Sequence, residues 1–223
     1  MPGPVRFAIL PLILCAGIAH ANGAACENGL VAVKDAPEAL SARICAAADL
    51  AISLFAECGL SLAAPVEVSL RDSIDPPCFG LFHCGERRIE LLTPEAMAEG
   101  LRGESVFAHV PPLRFFDSVV VHELAHALYD QVDCPFASCM ATAEYMAYGY
   151  QIDSLTPQDR APIAGAEGAD EPVPRDMINP FIVMMAPDRF ATAAWHHLQQ
   201  REDVCAWRQG IMSGAILFDH ENP

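Results

Sequence analysis

The chain has 223 residues, of which 52% are hydrophobic, and its formal net charge at pH 7 is −16. This length and hydrophobic content are sufficient for a substantial buried core, and they exclude a wholly disordered protein. The strong negative charge argues against nucleic acid as a partner, because phosphates are bound by basic surfaces. It argues against docking on anionic lipid for the same reason.

Residues 1–21 have the organisation of an export signal. Arg6 supplies a positive charge, residues 7–19 form a short apolar run, and an A-x-A cleavage site ends at Ala21. The apolar run is too short to cross a bilayer. We therefore expect a signal peptide over 1–21 and a single mature domain over 22–223 that is secreted or periplasmic and free of the membrane. The alternative is a buried N-terminal helix.

The nine cysteines agree with export. Cys15 lies in the predicted signal, and its removal leaves an even number, which suggests up to four disulfides in an oxidising compartment. Spacing makes Cys78–Cys84 and Cys134–Cys139 plausible local pairs. A zinc site built from cysteines is the alternative, but no C-x-x-C pair occurs in the sequence.

The first half of the chain combines strand patterns with one long helix pattern. A strand over 30–33 precedes a helix over 37–57, whose apolar residues recur at helical spacing until Gly59. Alternating residues predict further strands over 66–70 and 88–92. A short helix then begins at Pro94.

The second half is predicted to be mainly helical. Helices are expected over 113–131 and 141–155, and over most of 187–214 with a break near Asp203. Residues 156–175 are rich in Pro, Gly, Ala and acidic residues, which indicates an exposed loop. This loop is either a lid over a cleft or an ordinary solvent loop.

Strands followed by helices predict an α+β fold, with helices to one side of a small mixed sheet. The sheet-containing part is expected over about 22–112 and the helical part over about 113–223.

Residues 119–128 read VVVHELAHAL. Side chains one turn apart share a helix face, so His122 and His126 can present imidazole nitrogens to one cation. Glu123 can then take a proton from water that the metal has activated. Burying Glu123 in this otherwise apolar run would be costly without a cation nearby. The alternative is an amphipathic helix whose histidines are core residues.

These residues resemble the active-site helix of HExxH zinc peptidases. The metzincin pattern requires a third histidine soon after the motif, and residues 127–132 contain none. The gluzincin pattern takes a glutamate from the following helix, and Glu144 fits that place. The resemblance implies one Zn²⁺ on His122, His126 and Glu144, with a fourth position open to water. The alternative for Glu144 is an exposed helix residue.

The resemblance has one departure. Several gluzincins have an aspartate four residues after the ligand glutamate, where it orients a ligand histidine, but this chain has Tyr148 there. The orienting partner is then expected from Asp117, Asp130 or a backbone carbonyl. Tyr148 lies one turn beyond Glu144 and is a candidate donor to an oxyanion. The other candidates are Tyr145, His196 and His197, and a packing role is the alternative for each of the four.

The resemblance covers about residues 30–155, and its specific part runs from His122 to Tyr148. It also implies a sheet edge strand that pairs with an extended peptide, for which residues 85–92 are a candidate; an internal strand is the alternative. The chain is similar, too, to an uncharacterised family of short, secreted, cysteine-containing bacterial proteins.

The sequence predicts a secreted zinc-dependent peptidase that hydrolyses a peptide or protein substrate, with Glu123 as the general base. The alternatives are a non-catalytic zinc-binding or interaction protein on the same zincin-like scaffold, and a disulfide-stabilised domain without metal.

Overall fold

The computed structural model describes residues 24–166 and 168–219, so the predicted signal peptide and Cys15 lie outside the described residues. The described residues form an α+β fold, as expected. Its five strands are β1 (Ala24–Ala25), β2 (Val31–Lys34), β3 (Val66–Arg71), β4 (Gly80–His83) and β5 (Arg88–Leu92).

The strands form one mixed sheet in the order β1-β2-β3-β5-β4. β2, β3 and β5 are parallel, whereas β1 and β4 pair antiparallel at the two edges. The strands predicted over 30–33, 66–70 and 88–92 are confirmed as β2, β3 and β5. The two edge strands were not predicted, because β1 has only 2 residues and β4 begins with a glycine. The expectation of a peptide-binding edge strand over 85–92 is wrong, because these residues contain the internal strand β5, as the alternative had it. The edge strand that packs on the motif helix is β4.

Helices account for more than half of the other described residues. They are α1 (Glu38–Glu57), α2 (Pro94–Gly100), α3 (Pro112–Tyr129), α4 (Met140–Ser154), α5 (Pro157–Ala164), α6 (Pro180–Met185), α7 (Pro187–Gln199) and α8 (Val204–Met212), with a 3₁₀ turn at Arg175–Met177. The helices predicted over 37–57, 113–131 and 141–155 are confirmed as α1, α3 and α4. α7 and α8 confirm the helical stretch with its break near Asp203.

α3 is the central helix of the core. It packs against α1, α2, α4 and β4, and Phe116, Val121, Leu124 and Leu128 are fully buried. The parts of α3 that contact α1 include a polar pair, in which Arg43 donates to Asp117 at 2.6 Å. By length and composition α1 is apolar enough to cross a membrane. Its buried face, however, belongs to the same hydrophobic core as α3.

The expectation of an exposed loop over 156–175 is wrong for its first half. Residues 157–164 form α5, because Pro157 suits the first helical turn and Thr156 Oγ1 accepts a hydrogen bond from the Asp159 backbone N–H at 3.2 Å. Ile163 is fully buried. The Asp159 carboxylate also accepts two hydrogen bonds from the Arg114 guanidinium, at 2.6 and 2.9 Å, so α5 is attached to the start of α3.

Three disulfides link Cys26–Cys45, Cys58–Cys205 and Cys134–Cys139. They indicate an extracellular or otherwise oxidising compartment. The expected Cys134–Cys139 pair is confirmed, but the expected Cys78–Cys84 pair is wrong, because neither thiol is bonded to another cysteine of the described residues. The strand β4 lies between these two cysteines. An extended strand rises about 3.3 Å per residue, which keeps the two Cα atoms well beyond the roughly 7 Å limit for a disulfide.

Candidate metal centre

Three side chains from α3 and α4 converge on one point. His122 and His126 lie one turn apart on α3, and their Nε2 atoms are 3.1 Å apart. Glu144 on α4 faces both: its Oε2 lies 3.5 Å from His122 Nε2, and its Oε1 lies 3.5 Å from His126 Nε2. The three residues form a group able to hold a metal ion, with all their ligand atoms within 4.8 Å of one another.

These spacings fit a single small cation. Ligand atoms about 2.0–2.1 Å from a tetrahedral metal lie roughly 3.3 Å from one another. The two histidine nitrogens lie close to that separation, and each has one oxygen of Glu144 at 3.5 Å, although the two oxygens differ. Two imidazole nitrogens at this distance can share a hydrogen bond or bind one cation between them. The donor set therefore suits a metal ion bound by both histidines and Glu144.

The pKa values of these three side chains depend on their burial and on the charges of their neighbours. Burial alone would lower the pKa of His122, but the hydrogen bond and charge of Glu144 outweigh it and raise that pKa. Burial lowers the pKa of His126 to about 4 despite the charge of Glu144. For Glu144, the interaction with His126 and the hydrogen bond and charge of His122 outweigh burial, and the pKa of the carboxyl is lowered. His126 is thus a neutral imidazole and Glu144 a carboxylate at neutral pH, the forms that bind metals, whereas a metal competes with the proton that Glu144 favours on His122.

A relay of hydrogen bonds orients His122. The Ser118 hydroxyl donates to the Phe115 carbonyl at 2.7 Å, and its lone pair accepts from Gln151 Nε2 at 3.3 Å. Gln151 Oε1 therefore points at His122 Nδ1, 2.9 Å away. Because an amide oxygen only accepts, Nδ1 must carry the hydrogen. With Nδ1 donating to Gln151, Nε2 is the nitrogen of His122 that faces Glu144 and His126.

Gln151 takes the orienting role that the sequence assigned to other residues. The expectation for Asp117 is wrong, because this carboxylate is paired with Arg43. The expectation for Asp130 is wrong too: it accepts from the Gly85 backbone N–H at 3.0 Å and so anchors the turn between β4 and β5. One signal for Gln151 was present in the sequence, since it lies two helical turns after Glu144 and therefore on the same face of α4.

Glu123 lies beside the three possible ligands and against the edge strand β4. Burial raises the pKa of its carboxyl to about 7, although the charge of His122 and a hydrogen bond from the Phe82 backbone N–H act in the opposite direction. A Cβ atom on Gly80 would lie 2.5 Å from Glu123 Oε1. Glycine at position 80 thus allows β4 to approach the carboxylate closely.

Tyr148 also reaches the centre. Its ring packs edge-to-face on His122, with a centroid separation of 4.7 Å. Burial raises the pKa of the phenol strongly, and the negative charges of Glu144, Asp188 and Glu123 raise it further. Tyr148 therefore keeps its proton and remains a hydrogen-bond donor.

The other oxyanion candidates are engaged elsewhere. The Tyr145 hydroxyl bonds to His197 Nδ1 at 2.9 Å within the core. His196 Nε2 donates to the Ile163 carbonyl at 2.9 Å. Their burial and partners agree with packing roles, which were the alternatives for these residues.

One known family matches the chain over both the sheet and the helices. Residues 31–221 match a family described as a family of unknown function (DUF6639). The chain belongs to this family. Neither a search of curated proteins nor a search of solved structures gave a match. Membership of this family assigns no activity, so a function must be argued from the chemistry of the site.

Proposed function

We propose that this member of the family is a secreted, zinc-dependent peptidase with a zincin-like fold. The observation that carries the proposal is the convergence of His122, His126 and Glu144, at separations of 3.1–3.5 Å, with Glu123 beside them as a fourth polar group. Secretion or a periplasmic location is supported by the three disulfides.

The donor set supports zinc and a catalytic site. Two imidazoles and one carboxylate are ligands that zinc accepts, and a set of three protein ligands is typical of catalytic sites, whereas structural zinc sites have four. Zinc bound there would supply a Lewis acid that polarises a carbonyl group and lowers the pKa of water.

Glu123 is the general base in this proposal. It neighbours His122 in sequence but is not among the three grouped ligands, so its carboxylate remains available for proton transfer. It takes a proton from the attacking water and delivers it to the nitrogen of the leaving amine.

Tyr148 is the proposed donor to the oxyanion of the tetrahedral intermediate. Its ring contacts His122, which places the side chain at the metal centre on the α4 side. A protonated phenol there supplies a hydrogen bond to developing negative charge.

The edge strand β4 is the proposed binding surface for an extended peptide. One side of β4 pairs with β5, and the strand contacts Glu123 through Gly80. Main-chain pairing along the other side would bind peptides with little regard to sequence. A peptide held there would have its backbone beside the general base.

The test is hydrolysis of an unfolded protein by the mature chain loaded with zinc, compared with Glu123→Gln. We expect the variant to retain one zinc ion per chain and to lose about 10²- to 10⁴-fold in kcat. Glutamine has the size of glutamate but cannot accept the proton. If metal-loaded wild type and Glu123→Gln are equally inert across broad peptide libraries, the peptidase proposal fails.

A second candidate is a zinc-binding protein without turnover. It is favoured by the partner of His122, which is the neutral amide of Gln151 rather than a carboxylate. Carboxylate partners increase the basicity of a ligand histidine. Stoichiometric zinc together with inertness of both proteins in the experiment above would support this candidate.

A further inference from the structure

The helix α4 does not cap its own N-terminus. Its N-cap residue is Cys139, whose side chain makes no capping hydrogen bond and is joined to Cys134. The first backbone N–H groups of a helix have no partner within the helix and require one from elsewhere. In α4 this partner comes from a segment that lies after α8.

Asp219 provides the cap. Its Oδ1 accepts from the Ala141 N–H at 2.8 Å, and its Oδ2 accepts from the Thr142 N–H at 3.0 Å and the Thr142 hydroxyl at 2.6 Å. Asp219 is 6% exposed and Thr142 is fully buried. A carboxylate at this end of a helix is also favoured by the helix dipole.

The neighbouring residue, Phe218, also binds this segment to α4. The Phe218 backbone N–H donates to Thr142 Oγ1 at 2.8 Å, so the Thr142 hydroxyl joins both residues of the segment to α4. The Phe218 ring packs on the Tyr145 ring with a centroid separation of 4.5 Å. Asp219 is therefore held firmly against the first turn of α4.

The cap is important because of the residues that α4 carries. Of the residues assigned to the metal centre, α4 carries the third ligand Glu144, the ring of Tyr148 and the orienting amide of Gln151. A shift of α4 along its axis would move all three groups relative to His122 and His126. Functional groups must be held within about 0.5 Å of their productive positions to work well.

We propose that Asp219 is a positioning residue for the metal centre: by capping α4 it sets the position of Glu144 relative to the two histidines. The inference rests on the proposed function only in requiring that His122, His126 and Glu144 bind zinc. It does not require that the protein hydrolyses peptides.

The test compares two cap deletions in the full mature chain. Asp219→Ala removes the cap of α4, whereas Asp203→Ala removes the cap of α8, where the Asp203 carboxylate accepts from the Ala206 N–H at 2.9 Å. α8 carries none of the residues assigned to the metal centre, so Asp203→Ala is a matched control. Zinc affinity is measured by competition with a chromogenic chelator, well below the thermal unfolding midpoint of each variant.

We expect Asp219→Ala to bind zinc about tenfold more weakly than wild type, an effect of the size seen for residues that support metal ligands. Asp203→Ala should bind zinc as wild type does, although both variants lose thermal stability. Replacement of zinc by Co²⁺ adds a spectroscopic reading: the d–d absorption bands should shift in Asp219→Ala and not in Asp203→Ala. If Asp219→Ala does not fold, Asp219→Asn is compared with Asp203→Asn instead: the amide keeps the shape of the side chain but replaces one of the two acceptor oxygens of Asp219 by a donor.

Unchanged zinc affinity and an unchanged cobalt spectrum in the folded Asp219 variant would overturn the inference, because Asp219 would then serve stability alone. An equal loss of affinity in Asp203→Ala would also overturn it. If wild type itself binds no zinc, the metal centre fails and this inference fails with it. If wild type binds zinc but hydrolyses nothing, only the peptidase proposal is lost.

Discussion

The two helices that form the metal centre are held in place by different means. α3 is fixed by apolar packing on nearly all sides, with Val121, Leu124 and Leu128 fully buried. α4 shares this core, but its N-terminus is also fixed by a disulfide and by the carboxylate of Asp219. Changes along α3 should therefore threaten folding itself, whereas selected polar changes around α4 should alter the metal centre in a molecule that remains folded.

The largest expected effect is on stability and concerns α3. Leu128→Ala removes a fully buried side chain from the helix that lies at the centre of the core. We expect a loss of about 2–5 kcal/mol in the free energy of unfolding, because the cavity adds to the lost hydrophobic transfer energy. Denaturant unfolding measures this change.

Leu113→Ala is the matched control on the same helix, since Leu113 is 48% exposed. Its effect should stay within about 0.5 kcal/mol. Equal losses for the two variants would show that α3 is not fixed by burial.

The next prediction concerns the contact between β4 and α3. In Gly80→Ala the new methyl group would lie 2.5 Å from Glu123 Oε1, so the carboxylate must move. A misplacement of about 1 Å can lower catalysis by about 10²-fold. We expect a loss of that size in kcat, measured by peptide hydrolysis. Elemental analysis should show that zinc is still bound.

Gly103→Ala controls for the general effect of replacing a glycine, because a Cβ atom there has no neighbour within 4 Å. This variant should keep full activity. An active Gly80→Ala enzyme would contradict the placement of the general base against β4.

A smaller effect is expected from the amide that orients His122. Gln151→Leu removes the acceptor for His122 Nδ1. Loss of such a partner typically weakens metal binding about 10- to 100-fold. Gln151→Glu, which restores an acceptor of the same length, should recover zinc affinity. Chelator competition distinguishes the two variants, and wild-type affinity in Gln151→Leu would rule out an orienting role.

Residues that share one helix were easier to predict than residues that come together from distant parts of the chain. His122 and His126 lie on one helix, so the helical period alone places them together. Glu144 needed the resemblance to gluzincins, because spacing within a helix cannot show which helices meet. Gln151 shares a face of α4 with Glu144, but nothing in the sequence shows that this face meets His122.

Contacts between distant segments could not be predicted, because they leave no periodic pattern in the sequence. Asp219 caps a helix that begins more than seventy residues earlier, and the Cys58–Cys205 disulfide has a sequence separation of 147. The opposite error occurred at Cys78 and Cys84, which are near in sequence but separated by an extended strand. The three central strands, the long helices and the motif helix were therefore predictable, whereas α5, the edge strand β4 and the supports of α4 required the assembled fold.

The smallest predicted effect tests an ionic attachment between α5 and α3. The hydrogen bond from Arg114 lowers the pKa of Asp159 below its usual value, with a further contribution from Thr156. A carboxyl group with a lowered folded-state pKa contributes stability above its unfolded-state pKa of about 3.9, and this stability is lost as the pH falls through the folded-state value. Asp159→Asn should therefore reduce the free energy of unfolding at pH 7 by about 1 kcal/mol, since Arg114 is partly exposed to solvent. The difference in the free energy of unfolding between Asp159→Asn and wild type should shrink as the pH falls below the folded-state pKa of Asp159. Denaturant unfolding at a series of pH values measures it, and a difference that stays constant with pH would show that the charge of Asp159 does not stabilise this attachment.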